Sequence, residues 1–330
     1  MAVLGFDIGG ANLKAAHSSG RAISVPFALW RDPALLPQAL RRLRDDMPPA
    51  DVLAVTMTGE LADCFESKRQ GVLAILDSVL AVTGSTPVRV WRNDGRFVDV
   101  PTARATPLQT ASANWLALAA FAGRYAPKGP ALLIDTGSTT TDIVPLLDGL
   151  PTPRGRTDPE RLRSAELVYT GVRRTPLCAL HHSYNQASEL FATTLDAYLL
   201  LGFLSEDPSE SSTADGRTAT RECAESRIAR MLCADLETST FEERRQYAES
   251  ILKTQMAILG RAFDAVAMRL PEPPQTIVFA GEGEFLIRLA LKAQAGLPTC
   301  RGVSLDEKLG AEISRAACAY AVAILALEER

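Results

Sequence analysis

Residues 131–150 read ALLIDTGSTTTDIVPLLDGL, and the fold turns on how this stretch is read. Residues 131–134 are a short apolar run of the kind that lies in a sheet core; Asp135 ends it, and Gly137 lets the backbone turn tightly beneath a ligand. Ser138, Thr139, Thr140 and Thr141 then bring four hydroxyls and their amides to the turn. Strand pattern resumes over residues 142–147, and Asp148-Gly149 marks the next turn. A buried strand that delivers glycine and hydroxyls to a tight turn reads as a phosphate cradle. An ordinary hairpin with a polar tip shares the same local pattern.

A second copy separates the two readings. Residues 5–14 read GFDIGGANLK: an apolar strand, Asp7, the pair Gly9 and Gly10, then Asn12 and Lys14 on a strand leading away. Asp-x-Gly thus opens a turn once in each half of the chain. At 330 residues the chain exceeds one ordinary domain and suits two, with 47% hydrophobic residues to build their cores. A net charge of −4 without any block of like charge argues against a nucleic-acid partner. Six cysteines (Cys64, Cys178, Cys223, Cys233, Cys300, Cys318) include no C-x-x-C pair, so they predict core thiols rather than a zinc site or disulfides. The N-terminus enters strand pattern at once, and the longest apolar run, 316–327, is too short to span a bilayer. The expectation is a cytoplasmic protein with no membrane partner; a homo-oligomer is compatible with the sequence but carries no specific sign in it.

In chain order, strands are expected over 2–6, 11–16 and 23–29 as a meander, followed by a helix from Asp32-Pro33 to about residue 47. A buried strand over 52–57 delivers Thr58-Gly59-Glu60 at its carboxyl end, where open α/β sheets bind ligands. A helix over 71–82, a strand over 88–91 and one long Ala-rich helix over 108–125 complete the first half, and YAPKGP at 125–130 reads as a linker. The second half begins with the opening hairpin, continues through a polar stretch at 151–158 and a strand near 166–169, and becomes mostly helical over 188–270. A Ser/Asp-rich loop at 205–217 interrupts those helices. A strand over 276–280, the turn Gly281-Glu282-Gly283, a helix over 284–295 and a last helix over 306–328 close the chain. Domains are expected at 1–127, joined by the helix 306–328, and at 128–305 with the helical insertion.

Two Asp-x-Gly hairpins and a late strand–GEG–helix resemble the phosphate-1, phosphate-2 and adenosine segments of the actin, Hsp70 and sugar-kinase superfamily. The resemblance implies an α/β fold of two ribonuclease H-like domains across a central cleft. Amides and hydroxyls of such turns solvate phosphate oxygens, while carboxylates beside them hold Mg²⁺ through water. The candidates for phosphate contact are Gly9, Gly10, Asn12, Lys14, Gly137, Ser138, Thr139, Thr140, Asp142, Gly281, Glu282 and Gly283. Asp7 and Asp135 are the candidate catalytic and metal-binding carboxylates, and their like charges call for a cation.

Three further stretches narrow the resemblance: MTGELADCFESKRQGV (57–72), ASANW (111–115) and GRTDPERLRSAELVYTGVRRTPLCAL (155–180). With IDTGSTTTDIVPL they resemble, over nearly the whole chain, the hydantoinase/oxoprolinase-related proteins of one-carbon-carrier pathways, including the methanofuran-biosynthesis synthases. Such synthases join a furanylmethyl diphosphate to the phenol of γ-glutamyltyramine, forming an ether and releasing diphosphate. The resemblance implies that the loops take a diphosphate and Mg²⁺. A furfuryl C–O bond ionises readily, so stabilising the departing anion becomes the protein's main task. Glu60 is then the candidate acceptor of the phenol proton, or alternatively a helix cap. Lys68 and Arg69 read as an anion clamp or a solvated helix start, and Arg173-Arg174 as reaching a carboxylate or a phosphate. Asn114 reads as a substrate contact or a helix-to-loop bond. His181 and His182 point in different directions as neighbours and have no evident third ligand. Two other classes remain: an ATP-dependent kinase or oxoprolinase-like hydrolase binding ATP or ADP at GEG, and a non-catalytic nucleotide-responsive binding protein. Glu282 weighs against a purine at that turn, and no interaction module is visible for the last class.

Overall fold

A computed structural model describes residues 1–180, 185–293 and 300–329. The first half builds a sheet from β1 (Val3–Ile8), β2 (Asn12–His17), β3 (Ala22–Pro26), β4 (Val52–Met57), β5 (Val88–Trp91) and β6 (Phe97–Val98), in the order β3-β2-β1-β4-β5-β6. The second half builds another from β7 (Pro130–Thr136), β8 (Thr141–Leu147), β9 (Leu150–Pro151), β10 (Leu167–Val168), β11 (Thr276–Ala280) and β12 (Arg301–Ser304). Its order is β10-β8-β7-β11-β12, with β9 paired to β8. The two sheets repeat one topology. β1 runs antiparallel to β2 and parallel to β4, which is parallel to β5; β7 stands in the same relation to β8, β11 and β12. The architecture is α/β, and its doubled sheet topology is the one that the resemblance to the actin, Hsp70 and sugar-kinase fold leads one to expect.

Continuous apolar runs at β1, β4 and β11 follow from burial on both faces of the sheets. Outside the first sheet, the helices Leu36–Asp45 and Lys68–Thr83 pack Leu40, Leu43, Ile75 and Val79 against Phe6, Ile8 and Val55. Outside the second, Phe241–Ala267 and Glu284–Ala293 pack on Leu132, Ile134 and Ile277. Between the sheets lie the Ala-rich helices Asn114–Ala122 and Ala317–Glu328, in one continuous core with Val3, Ala54, Leu133, Val144 and Val278. Small side chains allow that layer its close approach, and at Gly5 a Cβ would collide with the carbonyl oxygen of Ala319.

Several sequence expectations need correction. Asp135 does not end its strand; it lies inside β7, in register with Asp142 of β8. The expected helix 108–125 is broken into Pro107–Thr110, an irregular link with Ser112 at φ +49°, and Asn114–Ala122. The expected helix 306–328 is three helices, Leu305–Leu309, Ala311–Arg315 and Ala317–Glu328, the first ended by Gly310 at φ +80°. Asp32 makes no capping bond, because Pro33 opens a 3-10 turn before the helix proper begins at Leu36. Strand β12 was not expected. The cysteines are not uniformly core: Cys318 is buried, Cys233 is exposed, and the other four are half-buried. Among the described residues no helix is long and apolar enough to cross a membrane.

Candidate active site at the paired aspartate hairpins

Strand register makes the two hairpins equivalent. Asp7 stands opposite Lys14 of β2, and Asp135 stands opposite Asp142 of β8. Each turn is closed by the same backbone bond, from Gly9 N to the oxygen of Asn12 (3.0 Å) and from Gly137 N to that of Thr140 (2.9 Å). Lys14 and Asp142 therefore hold corresponding places with opposite charge. Lys14 Nζ lies 4.0 Å from Asp7 Oδ2, and Asn114 Nδ2 donates to Asp7 Oδ1 over 3.5 Å.

The charges of this cluster are strongly coupled. Burial pushes the Asp7 carboxyl up, while Lys14 and Asn114 oppose the shift. Burial, with the negative charges of Asp142 and Asp7, pushes Asp135 up to about 7 against the pull of Lys14. For Lys14 burial disfavours the charge, but Asp7, Cys318, Asp135 and Glu282 outweigh it, so its ammonium is held more firmly than usual. The charge of one ammonium thus acts on two carboxylates that the sequence places 128 residues apart. Cys318, at the start of the helix Ala317–Glu328, completes this cluster. Sequence reasoning missed it because the residue lies inside an Ala-rich apolar run.

Residues 170–174 back the second turn. Gly171 approaches so closely that a Cβ would lie 2.6 Å from Ser138 C and Thr139 N. The amides of Arg173 and Arg174 both donate to the Ser138 oxygen at 3.0 Å, and Val172 N donates to Gly137 at 3.0 Å. Gly281, at φ +81°, packs against the Thr136 carbonyl and Asp135 Oδ1, where any side chain would collide. The two carboxylates expected to contact phosphate are instead engaged by arginines. Arg173 Nε donates to both oxygens of Glu282 at 2.8 Å. Arg161, 1% exposed, donates to Asp142 at 2.7 Å while its guanidinium lies 3.8 Å over the Trp115 ring. Asp142 and Glu282 thus accept from and fix arginines rather than a phosphate, and burial pushes the Asp142 carboxyl up while Arg161 opposes the shift.

Glu60 follows β4, fully buried, with the Gly71 backbone pressed against its own. Ser112 Oγ lies 2.6 Å from Glu60 Oε1 and 2.8 Å from Asp158 Oδ2. Lys68 Nζ lies 2.8 Å from the same Asp158 oxygen and 3.9 Å from Glu60. Burial pushes the Glu60 carboxyl up; Ser112, a backbone amide and Lys68 oppose that, and Asp158 adds to it. Among the described residues Glu60 Oε2 has no hydrogen-bond partner. Such a buried orphan costs about 1–3 kcal/mol unless a ligand satisfies it. Residues 112–114 bridge the two clusters, Ser112 at Glu60 and Asn114 at Asp7. Arg69 is exposed in the first turn of Lys68–Thr83. His181 and His182 lie outside the described residues. Ser112 and Asp158 lay within quoted motifs but escaped notice as functional residues, because an Ala-rich segment reads as helix and Thr157-Asp158-Pro159 reads as an ordinary helix start, which it also is.

Among the described residues no group of three or more His, Cys, Asp or Glu is placed to hold a metal. Asp7 and Asp135 offer hard oxygen donors at the two turns, both driven toward neutrality by burial, while Asp142 beside them is held by Arg161. This donor set fits a hydrated divalent cation of the magnesium type, which takes one or two carboxylates and completes its shell with water and substrate phosphate. A cavity of about 550 Å³ lined by Leu200, Phe203, Phe241, Arg245 and Lys253 shares no residue with either cluster.

The hydantoinase/oxoprolinase profile matches residues 51–323. The chain belongs to the hydantoinase/oxoprolinase family. A relative from Methanocaldococcus jannaschii, named (4-{4-[2-(gamma-L-glutamylamino)ethyl]phenoxymethyl}furan-2-yl)methanamine synthase, is 32% identical over 333 residues, covering 98% of this chain and 97% of its own. A protein of the same name from Methanococcus vannielii is 32% identical over 205 residues, covering 60% of this hydantoinase/oxoprolinase chain and 91% of its own. The nucleotide-free structure of acetone carboxylase superposes with a TM-score of 0.54 at 10% identity, over 97% of this chain and 70% of that one, a likeness of fold.

Proposed function

We propose that the protein transfers a furanylmethyl group from its diphosphate to the oxygen of a tyramine-type phenol, releasing diphosphate, in the assembly of a methanofuran-like one-carbon carrier in the cytoplasm. The relatives' name describes a phenoxymethylfuran, an ether whose C–O bond joins a phenol oxygen to a methylene carbon on the furan ring. The observation that carries the reading is the equivalence of the two aspartate hairpins, with Lys14 4.0 Å from Asp7 and its charge acting on Asp135 as well.

In this reading Lys14 and the amides near Gly9, Gly10 and Gly137–Thr140 surround the diphosphate, and their fixed positive ends match charge that grows as the C–O bond breaks. Asn114 holds Asp7 in place. Asp7 and Asp135 would hold Mg²⁺, which supplies further neutralisation of the leaving group. Glu60, with a free acceptor oxygen, takes the phenol proton as the ether forms. Purified protein incubated with both substrates and Mg²⁺ is expected to yield ether and diphosphate in equal amounts by mass spectrometry; folded protein that gives no ether overturns the reading. Heat on titration with ATP and Mg²⁺, with phosphate released only when a co-substrate is present, would favour the kinase or hydrolase reading instead.

A further inference from the structure

We propose that Glu60 enters the reaction protonated, and that Ser112 conducts its proton to Asp158, which is the base that finally receives it. The inference rests on the proposed role of Glu60, but its ground is a count of protons. Ser112 Oγ makes two short contacts with carboxyl oxygens, 2.6 Å to Glu60 and 2.8 Å to Asp158. A hydroxyl carries one proton, and two such contacts among three oxygens require two. The second proton belongs to one of the carboxyls.

The surroundings say which. Asp158 Oδ2 also accepts from the Lys68 ammonium at 2.8 Å, and its side chain is 25% exposed, so of the two carboxyls it is the one whose contacts favour the charge. Glu60 is 0% exposed and lies 3.9 Å from Lys68, so it carries the proton. Glu60 Oε1–H then donates to Ser112 Oγ, and Ser112 Oγ–H donates to Asp158 Oδ2. Ser112 is held for this place against its own backbone preference: it is a non-glycine residue at φ +49°, and its carbonyl accepts from Trp115 Nε1 at 2.8 Å.

The step balances. The phenol O–H bond breaks toward Glu60 Oε2 while its oxygen lone pair forms the bond to the furanylmethyl carbon, and the electrons of the broken C–O bond leave with diphosphate. Glu60 Oε1–H passes to Ser112, and the Ser112 proton passes to Asp158. Glu60 ends neutral, as it began, and Asp158 returns the proton to solvent. The buried carboxyl therefore never carries a charge, and Ser112 and Asp158 act through it as positioning residues.

Infrared spectroscopy of the ligand-free protein at pH 8 tests the proton count without substrate. In the difference spectrum of wild type minus Glu60→Gln a protonated-carboxyl carbonyl band is expected, over and above the contribution of Asp7 and Asp135 common to both, and the same Glu60-dependent band is expected in Asp158→Asn. Ser112→Gly relieves the backbone strain while removing the hydroxyl, so it should fold and yet lose about a hundredfold or more in turnover. Asp158→Asn, which cannot accept the proton, should lose turnover to a similar extent while the Glu60-dependent band persists. A wild type without a Glu60-dependent band, or Ser112→Gly with wild-type turnover, overturns the relay. Should ether formation fail while the band persists, the functional reading falls and the shared proton stands.

Discussion

Asp135 shows how one buried carboxyl can report on the whole site. Its folded pKa of about 7 lies above the ordinary 3.8, so the folded state holds this proton more tightly than the unfolded chain. The contribution to stability is fully present below pH 3.8 and is lost as pH rises through about 7. Asp135→Asn, which cannot ionise, should therefore melt progressively higher than the wild type as pH rises across that window, with the gap closed by millimolar Mg²⁺ added to the wild type. A gap that is flat with pH, or indifferent to Mg²⁺, would falsify the assignment. At the same scale, Glu60→Gln should lower turnover by about 10²–10⁴-fold at nearly unchanged melting temperature, and turnover close to wild type would remove Glu60 from the chemistry. The aspartates themselves were legible, because a strand, an acid and a glycine recur at matching spacing. Of the partners of the other charged groups, Arg173 was legible as reaching a carboxylate, which is Glu282, whereas Arg161 for Asp142 and Asp158 for Lys68 come from segments brought together only by tertiary packing.

At the scale of the element, the second turn owes its shape to what lies behind it. Gly171 leaves no room for a methyl group against Ser138 and Thr139. Gly171→Ala should displace the turn and weaken diphosphate binding at least tenfold by calorimetry while far-ultraviolet dichroism stays unchanged; wild-type affinity would show that the turn does not hold the anion. Strands with clear apolar runs, such as Val52–Met57, Val88–Trp91 and Thr276–Ala280, were read from the sequence with their ends in place. The break at residues 111–113 was not, since Ala-Ser-Ala contains neither glycine nor proline and helix periodicity continues across it. What interrupts the helix is the tertiary demand that Ser112 meet two carboxyls. Failure of local reasoning at that point coincided with a strained residue beside a buried acid.

The molecule as a whole is two copies of one sheet topology closed over a shared middle layer. Contacts reach across it, including Arg156 Nη1 to the Asn93 oxygen at 2.9 Å, and the central core takes residues from both sheets. Chemical denaturation should therefore give one transition, coincident by tryptophan fluorescence and by dichroism, despite the doubled topology. Two separated transitions would mean that the middle layer contributes little. Gly5→Val should lower the melting temperature by several degrees by lifting the helix Ala317–Glu328 off β1, and an unchanged value would contradict that packing. The repeat was legible in the paired hairpins, whereas the middle layer was not, because two Ala-rich helices carry no mark of the surfaces they join.

That middle layer also sets a kinetic demand. Gly5 and Ala319 touch although more than three hundred residues separate them along the chain. The outer helices can collapse onto their own sheets early, over short loops. The layer that unites the sheets must wait for the largest loop to close, and such long-range contacts fold slowly. Until it closes, the exposed inner faces of both sheets are open to pairing with other chains, so the contact that brings the two aspartates together is also the one on which escape from aggregation depends.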